Sequence, residues 1–549
     1  MRNIFVATFL LCVFFTLTVT SISKNSGTCD EIAHHIPAGY SYYQKWDFRL
    51  NPSNPPLARY IMALPLNFFH LKAPFDDKSW QEADTPSFGK KFFFEYNRGK
   101  AHTILFLSRL AMVFVGMLCA IIVYLFASRI YGKKCGLFAL LLYCFTPEVL
   151  AHSILSTTDI TAACFTLLAL YVFYQFMKSP SRKLLFAAGI ALGLAQLSRY
   201  SAVLLYPIFL ILALLEGFWS KKNFKISSSL VLIFALSVVT IWAGYGFRMK
   251  PFLAETINQQ EKIEFVKNSA ARFLPFWNKN LANKTEIFLK QTPMPLTTYI
   301  TGFLGVMKHD KEGHLMFFWG KWSDYGNPLY YVLALLIKTP IALIIFFFAA
   351  FFSIPLKRLK KDEIYLILPI SIIFIIASAS KLQLGIRYIL PIYPLIAIFS
   401  SRIILFVKNS WQRLIIVILT GWLIFTGVFA WPHYLSYFNE FIGGSDNGYK
   451  YLRDSNIDWG QDLPALGQYA KKNGTPTITL FYFGQDNPAM YGINFINFTK
   501  SEYIKPEKKI YAISVQYLDS VAWTKIYPPC AKAGYSIFIY DFRPPPGIK

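Results

Sequence analysis

Runs of roughly 20 apolar residues recur along this chain, each long enough to cross the hydrocarbon core of a bilayer as a helix rising about 1.5 Å per residue. Bounded by charge or proline, the candidate spans are 4–23, 103–127, 136–151, 159–177, 184–198, 200–217, 228–247, 329–355, 364–380, 388–406 and 412–431. The expected fold is a multi-pass α-helical membrane protein with about eleven transmembrane helices. With 54% apolar and only 15% charged residues, the chain is too apolar for a large soluble protein. The first run follows Arg2 as a secretory signal would, but its length favours an uncleaved helix.

The net charge of +25 invites comparison with nucleic-acid binders, yet the lysines and arginines sit in short clusters between apolar runs. That pattern is the positive-inside bias of a membrane protein, with affinity for anionic membrane lipids and no nucleic-acid partner. From a cytoplasmic N-terminus, every inward turn is basic: 128–135, 178–183, 218–227, 356–363 and 407–411. The outward turns carry few cations, and 152–158 carries none. This orientation places 24–102 and 248–328 outside the cytoplasm, in a cell inner or plasma membrane, and both segments are too long to be simple connectors. Within the first, Pro56–Phe69 opens with proline in the first-turn position and is apolar nearly all round, as a piece lying in the outer interface would be.

After Trp431 the composition turns to a soluble mixture. The runs 478–483, 509–515 and 535–542 read as strands and 461–472 as a helix, predicting a small extracytoplasmic α/β domain over 432–549 behind a membrane domain over 1–431. No repeat relates the chain halves, which counts against transporters built from internal repeats. Five of the seven cysteines fall in or beside apolar runs and read as small buried hydrophobes. Cys29 and Cys530 both fall outside the cytoplasm, so a disulfide between them is open. The sequons at Asn283, Asn473 and Asn497 lie on the same side.

The polar residues that topology gathers at the outer face are the candidates for chemistry. Asp30 and Glu31 follow the first span closely. On a helix they diverge by about 100°, so one acts while the other positions or caps. Asp159 stands at the outer start of the fourth span, as an N-terminal acid or as a second carboxylate facing the same cavity. Arg387, between the ninth and tenth spans, can grip a phosphate through paired hydrogen bonds, or simply snorkel to the interface. Arg59 faces the same choice, and Arg109 and Arg199 lie slightly deeper, where a charge needs a partner. His34 and His35 are the candidates for a divalent metal, since Asp30 and His34 would share a helical face, although adjacent histidines in an aromatic loop more often stack or face solvent.

The string DEIAHHIPAGYSYYQKWDFRLNPSNPPLARYIMALPL (30–66) resembles the first extracytoplasmic loop of the protein O-mannosyltransferase and aminoarabinose transferase family, within the GT-C glycosyltransferases. STTDITAACFTLLALYVFYQF (156–176), LGLAQLSRYSAVLLYP (192–207), LGIRYILPIYP (384–394) and the bacterial-type tail YLRDSNIDWGQDLPAL (451–466) continue the resemblance. It implies inverting transfer of a sugar from a polyprenyl- or dolichyl-phosphate carrier to a protein, lipid or glycan at the extracytoplasmic face. It also implies Asp30 as the catalytic carboxylate, Glu31 as its neighbour, Asp159 as a second cavity acid and Arg387 as a phosphate contact, with Arg59 and Arg199 as further lipid-phosphate candidates. Asn54 departs from the charged or histidine residue that many relatives carry before the PPL string, so no metal or phosphate role carries over to it. A base on one face of the sugar and a cation for the departing phosphate are the parts that such a transfer needs. A lid formed by the 248–328 segment, with GHLMFFWGKWSDYGNP near its end, would cover the cavity. The rival classes are a lipid-linked sugar flippase and a non-catalytic envelope scaffold; a flippase would place its ionisable groups near the bilayer midplane.

Overall fold

The computed structural model of the protein describes residues 2–220, 223–252, 287–353, 361–475 and 477–544. Each of the eleven apolar runs is mainly helical over its described residues, but the runs are not equivalent. Six are helices long and apolar enough to cross a membrane: Arg2–Ile22, Ala101–Tyr131, Asp159–Lys178, Tyr200–Phe218, Lys361–Ala379 and Ser410–Phe429. Two more are broken, Lys133–Cys144 with Pro147–Ser153 by 67° and Tyr330–Lys338 with Ile341–Phe352 by 113°. Proline explains both breaks. It lacks the N–H that a continuous helix requires, and its ring drives the preceding residue out of the helical region. Thr146 and Thr339, before Pro147 and Pro340, are accordingly extended, with ψ of 115° and 137°. Among the described residues the expected eleven spans therefore become six continuous ones, or up to eight with each bent pair counted once. Arg182–Ser198, Ser228–Gly244 and Ile392–Phe406 are helical but shorter. Several cations of the expected inward turns, among them Lys222 and Arg358, lie outside the described residues, as does the sequon at Asn283.

Phe5, Phe218, Val231 and Ile418 point away from the helix bundle, as lipid-facing side chains do, while Arg109, Glu148, His152, Asp159 and Lys338 point into it. The first expected extracytoplasmic segment folds into short helices over the bundle. A π-helical turn, Glu31–His35, runs into the helix Ile36–Lys45, and Leu57–Ala63 continues as a 3-10 turn through Phe68. That last piece buries Met62, Ala63 and Leu66 and exposes Leu64, Phe68 and Phe69, the amphipathic division expected of an interfacial element. In the second segment, the described residues form two short antiparallel strand pairs, Met249–Pro251 with Pro293–Pro295 and Met316–Phe318 with Lys321–Ser323, and the helix Thr297–Glu312. Residues 253–286 of the expected lid lie outside the described residues.

The tail forms a five-stranded sheet from β1 (Ile478–Phe481), β2 (Phe495–Asn497), β3 (Ile510–Ser514), β4 (Ala531–Ala533) and β5 (Ile537–Asp541), in the order β2-β1-β3-β5-β4. β1 runs parallel to β2 and β3, whereas β5 is antiparallel to β3 and β4. The helix Leu463–Lys472 packs Leu463, Leu466 and Ala470 into the small core of the sheet. β2 and β4, each three residues long, have too little alternation to be read from sequence. Cys29 and Cys530 are both free thiols.

The tail is sewn to the segment that follows the first span. Ser26 donates its N–H to the Gln461 carbonyl at 2.9 Å, and Cys29 donates to that of Trp459 at 2.9 Å. Deeper, the Lys338 ammonium donates to the carbonyls of Leu435, at 2.8 Å, and Asn456, at 2.5 Å. These bonds, with the one from the Ile386 N–H to Asn456 Oδ1 at 3.0 Å, bring residues 26–31, 384–388 and 454–461 to one place.

Candidate active site

Asp30 immediately precedes the Glu31–His35 turn, and Arg387 stands in a 3-10 turn, Ile386–Ile389, between two apolar runs. The fold brings these side chains together: Arg387 Nη1 donates to Asp30 Oδ2 at 3.2 Å. Nε of the same guanidinium donates to the Leu384 carbonyl at 3.0 Å, and its centre lies 4.3 Å from the centroid of the Trp459 ring. The pair remains partly open, with 26% of the Asp30 side chain and 13% of the Arg387 side chain exposed. An arginine held over an indole and tethered through Nε is fixed in position with donors to spare, which suits it to a phosphate.

Glu31 points elsewhere. Its side chain is fully buried and bonded twice to Arg109, Oε1 to Nε at 2.8 Å and Oε2 to Nη2 at 2.7 Å. Backbone N–H groups of Thr28 and Ser156 donate to it at 2.9 and 2.8 Å. Burial works against the charged carboxylate, but Arg109 and these donors outweigh it and leave the pKa below the ordinary value. Glu31 ties the loop to the helix Ala101–Tyr131 and to the 154–158 turn and, unlike Asp30, presents no open face.

Asp159 is buried behind Arg387. Its Oδ1 takes Arg199 Nη1 at 2.6 Å and its Oδ2 takes the Thr157 hydroxyl at 2.8 Å. Arg199 reaches on to the Arg387 carbonyl at 3.4 Å and lies 4.3 Å from the Tyr388 ring centroid. Asp30, Arg387, Arg199 and Asp159 thus form one cluster. Arg59 does not join it: fully buried, it donates to the carbonyls of Asn54 and Pro55 at 2.8 and 3.2 Å and to His35 Nδ1 at 3.2 Å. A guanidinium bonded to His35 is no neighbour for a metal on that ring. Burial and the Arg59 charge hold His35 well below its ordinary pKa, hence neutral. His34 is likewise lowered by burial, against the pull of Asp30. Among the described residues no three of His, Cys, Asp and Glu converge to hold a metal ion.

Residues 102–242 match the family model of dolichyl-phosphate-mannose-protein mannosyltransferase. Over that stretch the chain is similar to the protein O-mannosyltransferases. The matched stretch includes Arg109, Asp159 and Arg199. Among solved structures, ArnT from Cupriavidus metallidurans bound to undecaprenyl phosphate aligns over 99% of both chains at 11% identity, with a TM-score of 0.48. The oligosaccharyltransferase AglB from Archaeoglobus fulgidus, in complex with an inhibitory peptide and a dolichol-phosphate, aligns over 87% of this chain and 58% of its own at 15% identity, with a TM-score of 0.48. No curated protein sequence matches the chain.

Sequence reasoning passed over several polar neighbours of this cluster. Asp454 is half-buried at a positive φ of 56°. Burial raises its pKa above the ordinary carboxylate value, while Arg387 and His314 pull it back. Trp459, which supports Arg387, lies in the same tail string. Beneath them Lys338 pairs with Glu148 at 3.1 Å, and His152 lies between Glu148, 3.9 Å away, and Asp159, 3.7 Å away. The available signal was the expense of a charge within an apolar run, which marks Glu148 and Lys338 as paired groups.

Proposed function

We propose that the protein transfers a sugar, with inversion, from a polyprenyl-phosphate carrier to an acceptor hydroxyl at the extracytoplasmic face, with Asp30 as general base and Arg387 as the phosphate contact. The observation that carries this reading is the partly open Asp30–Arg387 contact of 3.2 Å, at the junction of the spans and the extramembrane tail. A carboxylate and a stacked guanidinium supply the two things such a displacement needs, a proton acceptor for the incoming hydroxyl and a counter-charge for the departing phosphate. Among the described residues, Arg387 Nη2 takes no protein hydrogen bond, so that donor remains for a phosphate oxygen. Phosphate binding would also displace Asp30 from Nη1 and release its carboxylate towards the acceptor. Arg199, held by Asp159, steadies the Arg387 backbone from behind and adds positive charge there. A carrier lipid fits this placement, since its tail would lie along the apolar outer faces of the spans. The basic clusters expected in the inward turns support a cytoplasmic N-terminus, with residues 432–549 as an extracytoplasmic unit.

The test is transfer of label from radiolabelled polyprenyl-phosphate sugars by the purified, membrane-reconstituted protein. Asp30→Asn should yield a folded, inserted protein whose transfer rate is lower by about 10²- to 10⁴-fold, the scale of a lost general base. Near-normal turnover in that variant rejects the assignment.

A further inference from the structure

A cavity of about 480 Å³ lies where the extramembrane helices meet the C-terminal sheet. One wall is formed by Lys90 and Phe94, and the other by the ends of β1 and β2 with the loop between them, through residues such as Gln485, Phe495 and Phe498. Parallel strands open a crevice at their carboxyl ends where ligands bind in open α/β sheets, and the 482–488 stretch of this wall directly follows β1.

The cavity is bound to the segment that carries Asp30. Gly27 donates its N–H to the Asp486 carboxylate at 2.7 Å. The Gln485 side chain lies against the Cys29 thiol, one residue before Asp30, and Lys90 is within electrostatic reach of the same thiol. Gln485 Oε1 is buried and, among the described residues, has no hydrogen-bond partner. A buried acceptor without a good donor is costly in a finished fold and marks a place where a ligand donates.

We propose that this cavity binds the acceptor, and that the acceptor is a glycan. The inference rests on the transfer reading above and adds the acceptor class to it. Carboxamides with both donors and acceptors suit neighbouring sugar hydroxyls, and the aromatic walls suit the apolar faces of pyranose rings. The one carboxylate in the wall, Asp486, is already engaged by Gly27 N–H and by the Tyr491 hydroxyl at 2.6 Å, so the free groups are neutral amides, rings and one lysine. A peptide lying along the open edge of β2 would find only three residues to pair with, which is short for strand addition.

The experiment uses the full chain in nanodiscs, exposed without donor to an array of neutral oligosaccharides, beside serine- and threonine-containing peptides. Wild-type protein should retain one or more glycans, and a Gln485→Ala/Phe495→Ala variant with an unchanged melting temperature should lose affinity for them by at least tenfold. Lys90→Ala, a change on an exposed side chain, is the second variant and should weaken retention of the same glycans. Absence of glycan binding by wild type, equal binding by wild type and variants, or retention of peptides alone overturns the proposal. The readout needs no turnover, so the two readings fail separately: transfer without glycan retention sinks this inference only, and glycan retention with full activity in Asp30→Asn sinks only the catalytic assignment.

Discussion

Asp30 and Glu31 are neighbours in the chain and meet different fates because a turn of helix sends their side chains in different directions. Glu31 is directed inward, where a carboxylate survives only if paired, and Arg109 with two backbone donors supplies that pairing. Asp30 is left at the rim against Arg387. The divergence was legible from adjacency alone. Which residue would turn inward was not, because Arg109 lies 78 positions away and only the packing of its helix against the loop brings it there. Buried pairs are asymmetric: removing one member strands the other, at a cost of about 3–5 kcal/mol, whereas removing both can be nearly neutral. Glu31→Gln and Arg109→Met should therefore each lower the melting temperature of the detergent-solubilised protein more than the double variant does. Simple additivity of the two single effects would show that the pair is not coupled.

At the scale of the element, the position of Arg387 depends on a short turn held from outside. Gly385 begins it at φ 91°, a region that L side chains rarely adopt, and a Cβ there would strike the Ser455 hydroxyl. Gly385 donates its N–H to the Tyr330 hydroxyl at 3.1 Å, and Ile386 donates to the Asn456 side chain at 3.0 Å. The tail string 451–466 thus grips the turn that presents the phosphate-binding candidate. Gly385→Ala should strain the turn by about 1–2 kcal/mol. Spent on misplacing Arg387, that strain raises the KM for the lipid-phosphate donor by about tenfold. Donor titrations in the transfer assay measure this, and an unchanged KM would show that the turn tolerates the change without moving Arg387. The two broken spans belong to the same scale. Their prolines were visible, but apolarity alone read 136–151 and 329–355 as continuous helices, since hydropathy counts residues and takes no account of backbone hydrogen bonds.

At the scale of the whole molecule, the tail is coupled to the membrane helices through buried polar groups such as Lys338, and a buried carboxylate within the tail makes stability depend on pH. Asp458 is buried in the tail, where Ser514 donates its hydroxyl and Gly460 its N–H, the latter at 2.8 Å. Burial outweighs these bonds and pushes its pKa up to about 7. The folded state therefore holds this proton more tightly than the unfolded chain does. The resulting stability is fully present below the ordinary carboxylate pKa and is lost as pH rises towards about 7, with no further change above it. Asp458→Asn removes the titration, so its melting temperature should fall less than that of wild type between pH 4 and pH 8, an interval set to bracket a carboxylate of pKa roughly 4 to 7. Parallel melting curves across that interval would show that Asp458 titrates alike in both states.

Apolar runs, basic clusters and the quoted strings were enough to establish from sequence a helical membrane protein with a mixed tail, and to single out Asp30, Asp159, Arg199 and Arg387. These are local properties: a span is apolar because lipid surrounds it, and a strand alternates because one face is covered. Tertiary structure alone decided that Asp30 meets Arg387 while Glu31 meets Arg109, that Arg59 is spent on carbonyls and His35, and that Asp454 and Trp459 reach the site from the tail. Those outcomes depend on contacts across hundreds of residues. A charged side chain in a bundle settles where a partner and a desolvated cavity coincide, and composition and periodicity carry no record of that coincidence.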